Sequence, residues 1–157
     1  MLALLAKVKG MHVRSITDLD VAGPLRGNMV QLPGFYFISL AYTKRSKTDT
    51  KALRDKFAPI RKNFLIALGS DPTKRATLKK AGLTDAEIDD MANGIRPRDC
   101  QVHHKLPLDD GGDNSEQNLL LIKNDPYHLA ITNYQNVATE GMSPGDTRIL
   151  QWPMHNG

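Results

Sequence analysis

One stretch restricts this chain more than any other. Val102-His103-His104-Lys105-Leu106-Pro107-Leu108-Asp109-Asp110-Gly111-Gly112 is followed by Asn118-Leu119-Leu120-Leu121-Ile122 and then by Pro126-Tyr127-His128. The pattern predicts a strand over 101–105, a polar loop over 109–117 that turns at Gly111-Gly112, and a second strand over 118–123. A helix then starts near Asp125-Pro126, with a capping carboxylate followed by proline at the first helical position. Neighbouring side chains on a strand point to opposite faces, so His103 and His104 diverge: one can ligate a metal while the other reaches a water. His128, in the first turn of the helix, is expected to face back toward the strand that carries them.

Upstream, the signals are mainly helical. Leu53, Phe57, Ile60, Phe64 and Leu68 recur at helical spacing, which predicts one basic amphipathic helix over 50–68, with Pro59 as its kink or break. Asp71-Pro72 opens a short basic helix that ends at Gly82. Thr84-Asp85-Ala86-Glu87 matches a capping box, so a further helix runs to about Asn93 and ends at Gly94. Residues 95–99 form a loop that leads into the histidine stretch. Residues 29–40 hold Phe35-Tyr36-Phe37-Ile38 after Pro33-Gly34, a pattern equally consistent with a short strand and with the start of a buried helix.

The expected fold class is α+β, with a mostly helical basic region over 1–100, a strand-strand-helix core over 101–137 and a tail over 138–157, all in one domain. A chain of 157 residues, 40% hydrophobic and 24% charged, can bury such a core. The lone cysteine, Cys100, excludes an intramolecular disulfide and any zinc site built on paired thiolates. Residues 1–7 are apolar, but no basic segment precedes them and the run is too short for a membrane span, so a soluble chain without a signal peptide is expected.

The net charge of +4 conceals an asymmetry. Residues 41–80 hold twelve Lys or Arg against three Asp, whereas residues 81–157 hold five basic and twelve acidic groups. A basic part that grips a polyanion beside an acidic, histidine-bearing part that holds a cation accounts for this division, and a solvated helix face is the plainer account.

The stretch from Val102 to Gln135 resembles the HNH, or ββα-metal (His-Me finger), endonucleases, including the nuclease domains of DNase colicins and of bacterial polymorphic toxins. The resemblance rests on the His-His pair, the Gly-Gly turn, the Asn before an apolar strand and the His on the following helix, together and in order. It implies that His103 and His128 are metal ligands and that His104 is the general base. Asn118 then orients the base or pins the loop backbone. Colicin-type sites carry another histidine four residues after His128, where this chain has Thr132. That difference disfavours a three-histidine zinc site and favours a sparse one with several waters and a harder divalent ion, Mg²⁺ ahead of Mn²⁺, Ni²⁺ or Zn²⁺, with Asn133 as a weak further donor.

Taken together, the resemblance implies a metal-dependent DNase of little sequence specificity that leaves 5′-phosphate and 3′-hydroxyl ends. A neutral imidazole with an ordinary pKa near ~6.5 suits proton abstraction from water at neutral pH. Arg96, Arg98 and Lys105 are the expected DNA-backbone contacts. The biological expectation is the toxin module of a secreted antibacterial effector, acting in the target cell's cytoplasm and restrained by an acidic immunity protein. The alternatives are a phage or mobile-element HNH enzyme and a non-catalytic nucleic-acid-binding module with a structural metal. Asp109, Asp110 and Asp113 read as turn formers, His12 and His155 as surface residues, and Trp152 as a packing anchor.

Overall fold

The computed structural model describes residues 21–155, so the readings of residues 1–7 and of His12 lie outside the described residues. The architecture is mixed, with five α-helices and three small antiparallel two-stranded sheets among the described residues. The histidine stretch lies on the central sheet. Here β4 (Cys100–His104) pairs antiparallel with β5 (Leu119–Lys123), and His103 and His104 stand opposite Leu120 and Leu119.

Period-two alternation along β5 supplies two cores at once. Leu119 and Leu121 join Val102 and Cys100 in a cluster with Phe64, Leu65, Leu68, Leu78, Ile88 and Met91. Those residues come from α2 (Phe57–Ser70), α3 (Pro72–Lys80) and α4 (Asp85–Ala92). Leu120 and Ile122 point the other way, into a cluster with Val21, Leu32, Ala130 and Ile131. That second cluster lies under the hairpin of β1 (Ala22–Leu25) and β2 (Asn28–Gln31) and under α5 (Leu129–Ala138). Burial on both faces explains why β5 is an unbroken apolar run rather than an alternating one.

The helical signals resolve as follows. Asp71 caps α3 by accepting from the amides of Thr73 and Lys74 at 2.8 and 3.0 Å, with Pro72 at the first position. The Thr84–Glu87 capping box is present at the start of α4. Gly82 and Gly94 end the two helices with φ of +95° and +80°, a region open to glycine at little cost. The single helix expected over 50–68 is instead two, α1 (Lys47–Asp55) and α2, which part at Lys56. Pro59 does not cause the break. It occupies the first turn of α2, where a missing N–H forfeits no intrahelical bond.

The expectation of a mostly helical region over 1–100 needs correction, because residues 22–43 hold three strands. The ambiguous run over 29–40 contains most of β2 and most of β3 (Phe35–Thr43). The tail expected over 138–157 contains β6 (Thr147–His155), which pairs antiparallel with β3 from Phe35↔His155 to Thr43↔Thr147. Asp125 does not cap a helix. It is extended (φ −114°, ψ 124°) and forms an ion pair with Arg26 at 2.6 Å, and a single π-type turn over Asn124–His128 leads into α5. No helix among the described residues is long and apolar enough to cross a membrane.

Candidate active site

Strand alternation sends the paired histidines to different neighbours. His103 meets His128 across from β4, with ring centroids 5.2 Å apart and planes at 81°. His104 turns to the helical side, where the Phe57 ring lies 4.4 Å away. The two arms converge on a cavity of about 250 Å³ lined by His103, His104 and His128 together with Arg54, Asp109 and Gln135.

Two imidazole nitrogens, His103 Nε2 and His128 Nδ1, are buried with no hydrogen-bond partner. Buried polar atoms are nearly always paired, so two orphans on adjacent rings mark a place where a cation would satisfy both. Burial, aided by the neighbouring His128 and His104, pushes the pKa of His103 down to about 3. Burial lowers that of His128 as well. Both rings are therefore neutral at neutral pH, the state in which imidazole ligates metals. Among the described residues no three His, Cys, Asp or Glu side chains gather as ligands, so an ion here would rest on two imidazoles completed by other oxygens.

His104 is held in one tautomer by a relay that the sequence did not reveal. Asn114 Nδ2 donates to the backbone carbonyl of Leu53 at 3.0 Å, which fixes the amide and turns Oδ1 toward His104 Nε2, 2.9 Å away. An amide oxygen only accepts, so His104 carries its proton on Nε2 and its lone pair on Nδ1. Burial lowers the pKa of His104, while the Asn114 bond and Asp113 oppose the shift.

Asn118 takes the loop-pinning role of the two left open for it. Its Oδ1 accepts from Leu106 N at 2.8 Å, and its Nδ2 donates at 2.8 Å to the carbonyls of Leu106 and Asp113. Gly112 completes that loop, since a Cβ there would collide with the carbonyl oxygens of Leu106 and Pro107.

The remaining predicted site residues are not gathered at the cavity. Asn133 uses its amide nitrogen on the Pro24 carbonyl at 2.8 Å, tying α5 to β1, and does not line the cavity. Arg96 donates to the Cys100 carbonyl and Arg98 is exposed on the preceding loop. Lys105 is only 7% exposed and does not line the cavity. His155, read as a surface residue, has Nδ1 buried and its ring edge-on to Phe35 at 5.1 Å. Asp113 is a turn former, accepting from Ser115 N and Oγ, whereas Asp110 is buried without partners and its pKa rises to about 8.

Three residues at the site were not singled out from the sequence: Arg54, Asn114 and Gln135. Gln135 lies two turns beyond His128 on the same face of α5, is 7% exposed, and leaves Nε2 unpartnered. A half turn of its amide would present Oε1 in the same place.

These features define an α+β chain with a neutral histidine pair, His103 buried and His128 half-buried, beside a tautomer-fixed imidazole. No family model matches the chain, and no solved structure matches it. Among curated proteins it is similar to the uncharacterized protein YhhZ of Escherichia coli (strain K12), 38% identical over 152 residues that cover 95% of this chain. The chain spans 37% of the length of that relative.

Proposed function

We propose that the chain is a metal-dependent endonuclease of the HNH type that hydrolyses DNA phosphodiester bonds with little sequence preference. The observation that carries this reading is the pair of orphaned nitrogens, His103 Nε2 and His128 Nδ1, on one cavity with His104. His103 and His128 would hold a divalent cation there, which would supply neutralisation of the charge that develops on the phosphate. The amide of Gln135 is available to a water or phosphate oxygen in the same space.

His104 acts on the water. Its Nδ1 lone pair accepts the proton while Nε2–H stays on Asn114, so the ring takes a proton without turning. Arg54, on the cavity wall, offers a guanidinium to the phosphate. Asn118 and Gly112 keep the loop after β4 closed, which fixes the direction of His104.

The deciding experiment is nicking of supercoiled plasmid by purified protein with EDTA or with Mg²⁺, Mn²⁺, Ni²⁺ or Zn²⁺, alongside His104→Ala. Metal-dependent nicking that the variant loses, with DNA binding retained, is the expected result. Duplex binding without cutting under any ion would instead favour the non-catalytic binding module. The biological part of the proposal is a toxin module neutralised by an acidic immunity protein. Harmless production of the wild-type chain in bacteria without any partner would count against it.

A further inference from the structure

A second cavity, of about 420 Å³, adjoins the first and shares Arg54 and Asp109 with it. Its size falls within the roughly 300–1,000 Å³ usual for ligand pockets. Four cations line it, Lys44, Arg45, Lys47 and Arg54, against one carboxylate, Asp109. Two of the four have structural tasks. Lys44 pairs with Asp109 at 2.8 Å, and Arg45 holds the loop by donating to the carbonyls of Leu108 and Gly112. Lys47 and Arg54 are exposed and form no ion pair with any described residue, so the cavity carries two uncommitted positive charges.

We propose that this cavity is a subsite for a backbone phosphate of the nucleic-acid strand that flanks the bond cut at His104. The inference deepens the hydrolytic reading and rests on it. Arg54 borders both cavities, so a strand crossing it sets one phosphate beside the histidines and a neighbouring one beside Lys47. Met142 and Pro144 give the second cavity an apolar wall suited to a sugar, whereas a free inorganic ion would leave that wall unused. The two uncommitted charges, Lys47 and Arg54, suit a phosphate, which is how most protein–DNA contacts hold the strand. The grip on DNA thus comes from α1 and the turn before it, rather than from Arg96, Arg98 and Lys105.

The test uses a His104→Ala background, so that binding is measured without cleavage. Fluorescence anisotropy of a short labelled duplex is followed from 50 to 200 mM salt with and without Lys47→Ala. Lys80→Ala, exposed on α3 and outside both cavities, serves as the charge control. The expected result is a several-fold weaker complex for Lys47→Ala, with the slope of log affinity against log salt reduced by about 1, and a smaller effect for Lys80→Ala. Equal losses at Lys47 and Lys80, or none at either, would overturn the subsite. Polyglutamate competing as well as DNA at equal charge would overturn it in favour of an acidic protein surface. Because none of these readings needs turnover, an inactive wild-type enzyme would defeat the hydrolytic reading while the binding data still decided the subsite.

Discussion

Asn114 has no charge and ligates nothing, yet it decides which nitrogen of His104 is basic. Asn114→Ala removes the acceptor from Nε2 and frees the ring to adopt the other tautomer. Plasmid nicking is expected to fall about 10- to 100-fold, as for other partners of catalytic or ligating imidazoles, with duplex affinity held near the wild-type value. Unchanged nicking would mean that the Leu53–Asn114–His104 relay is structural only. At the end of β6, His155 contributes to acid stability. Burial, reinforced by Lys105, pushes its pKa down to about 4, so the unfolded chain takes up a proton near ~6.5 that the folded chain refuses. Stability from this group is therefore complete above the unfolded value and declines as pH falls from ~6.5 toward 4, by on the order of 1–2 kcal/mol at pH 5. His155→Phe should lessen the fall in melting temperature over that window, leaving the part that His103 and its neighbours contribute, and a melting curve as acid-sensitive as wild type would refute the assignment. Of the residues discussed here, His103, His104, His128 and Asn118 are legible in the sequence because their spacing carries the motif. Asn114, Arg54 and His155 are not, since their roles depend on a partner 61 positions away, on a cavity wall shared with distant strands, or on burial that no local pattern encodes.

Elements bring those partners together through close backbone approach. Gly23 on β1 lies against α5, and a Cβ there would overlap the Ala130 carbonyl. Gly23→Ala must push the hairpin off the helix that presents His128, an overpacking that costs about 1–3 kcal/mol. The expected outcome in chemical denaturation is a lower midpoint, together with weaker Mn²⁺ binding by calorimetry. A lower midpoint with intact Mn²⁺ binding would show that the hairpin supports the fold but not the histidine pair. Capped helices such as α3 and α4 were readable because their start and stop signals are local. β3 was not, because half of its side chains are neither clearly buried nor clearly exposed and its partner strand lies more than a hundred residues away. The split at Lys56 was equally hidden, since the apolar spacing runs through it unchanged.

Across the whole molecule, the basic and acidic halves are laced together. Lys44–Asp109, Lys74–Glu116, Arg75–Asp89 and Lys79–Asp85 each join a cation from 41–80 to a carboxylate from 81–157. Such exposed pairs are individually worth about 0–1 kcal/mol, so the asymmetry read from the sequence serves orientation and field more than stability. The stronger tie is apolar. Trp152 on β6 is fully buried, packs on Tyr42 at 5.1 Å, and donates to the Lys105 carbonyl at 3.0 Å, just beyond the paired histidines. Trp152→Ala is expected to cost about 3–5 kcal/mol, and Trp152→Phe, which keeps one aromatic ring and loses the donor, about 1–2 kcal/mol. If the Phe variant melts like wild type but nicks DNA poorly, the indole N–H serves the site's geometry rather than its stability.

The antiparallel pairing of β3 with β6 also sets an order of events during synthesis. A ribosome releases β3, all five helices and the whole histidine stretch before Trp152 emerges, so the nascent chain carries His103, His104 and His128 while the peptide after His104 still lacks its clamp. A stall or a proteolytic nick anywhere between α5 and Trp152 leaves that intermediate unfinished. If the proposed hydrolysis holds, cutting is acquired only once β6 has closed on β3.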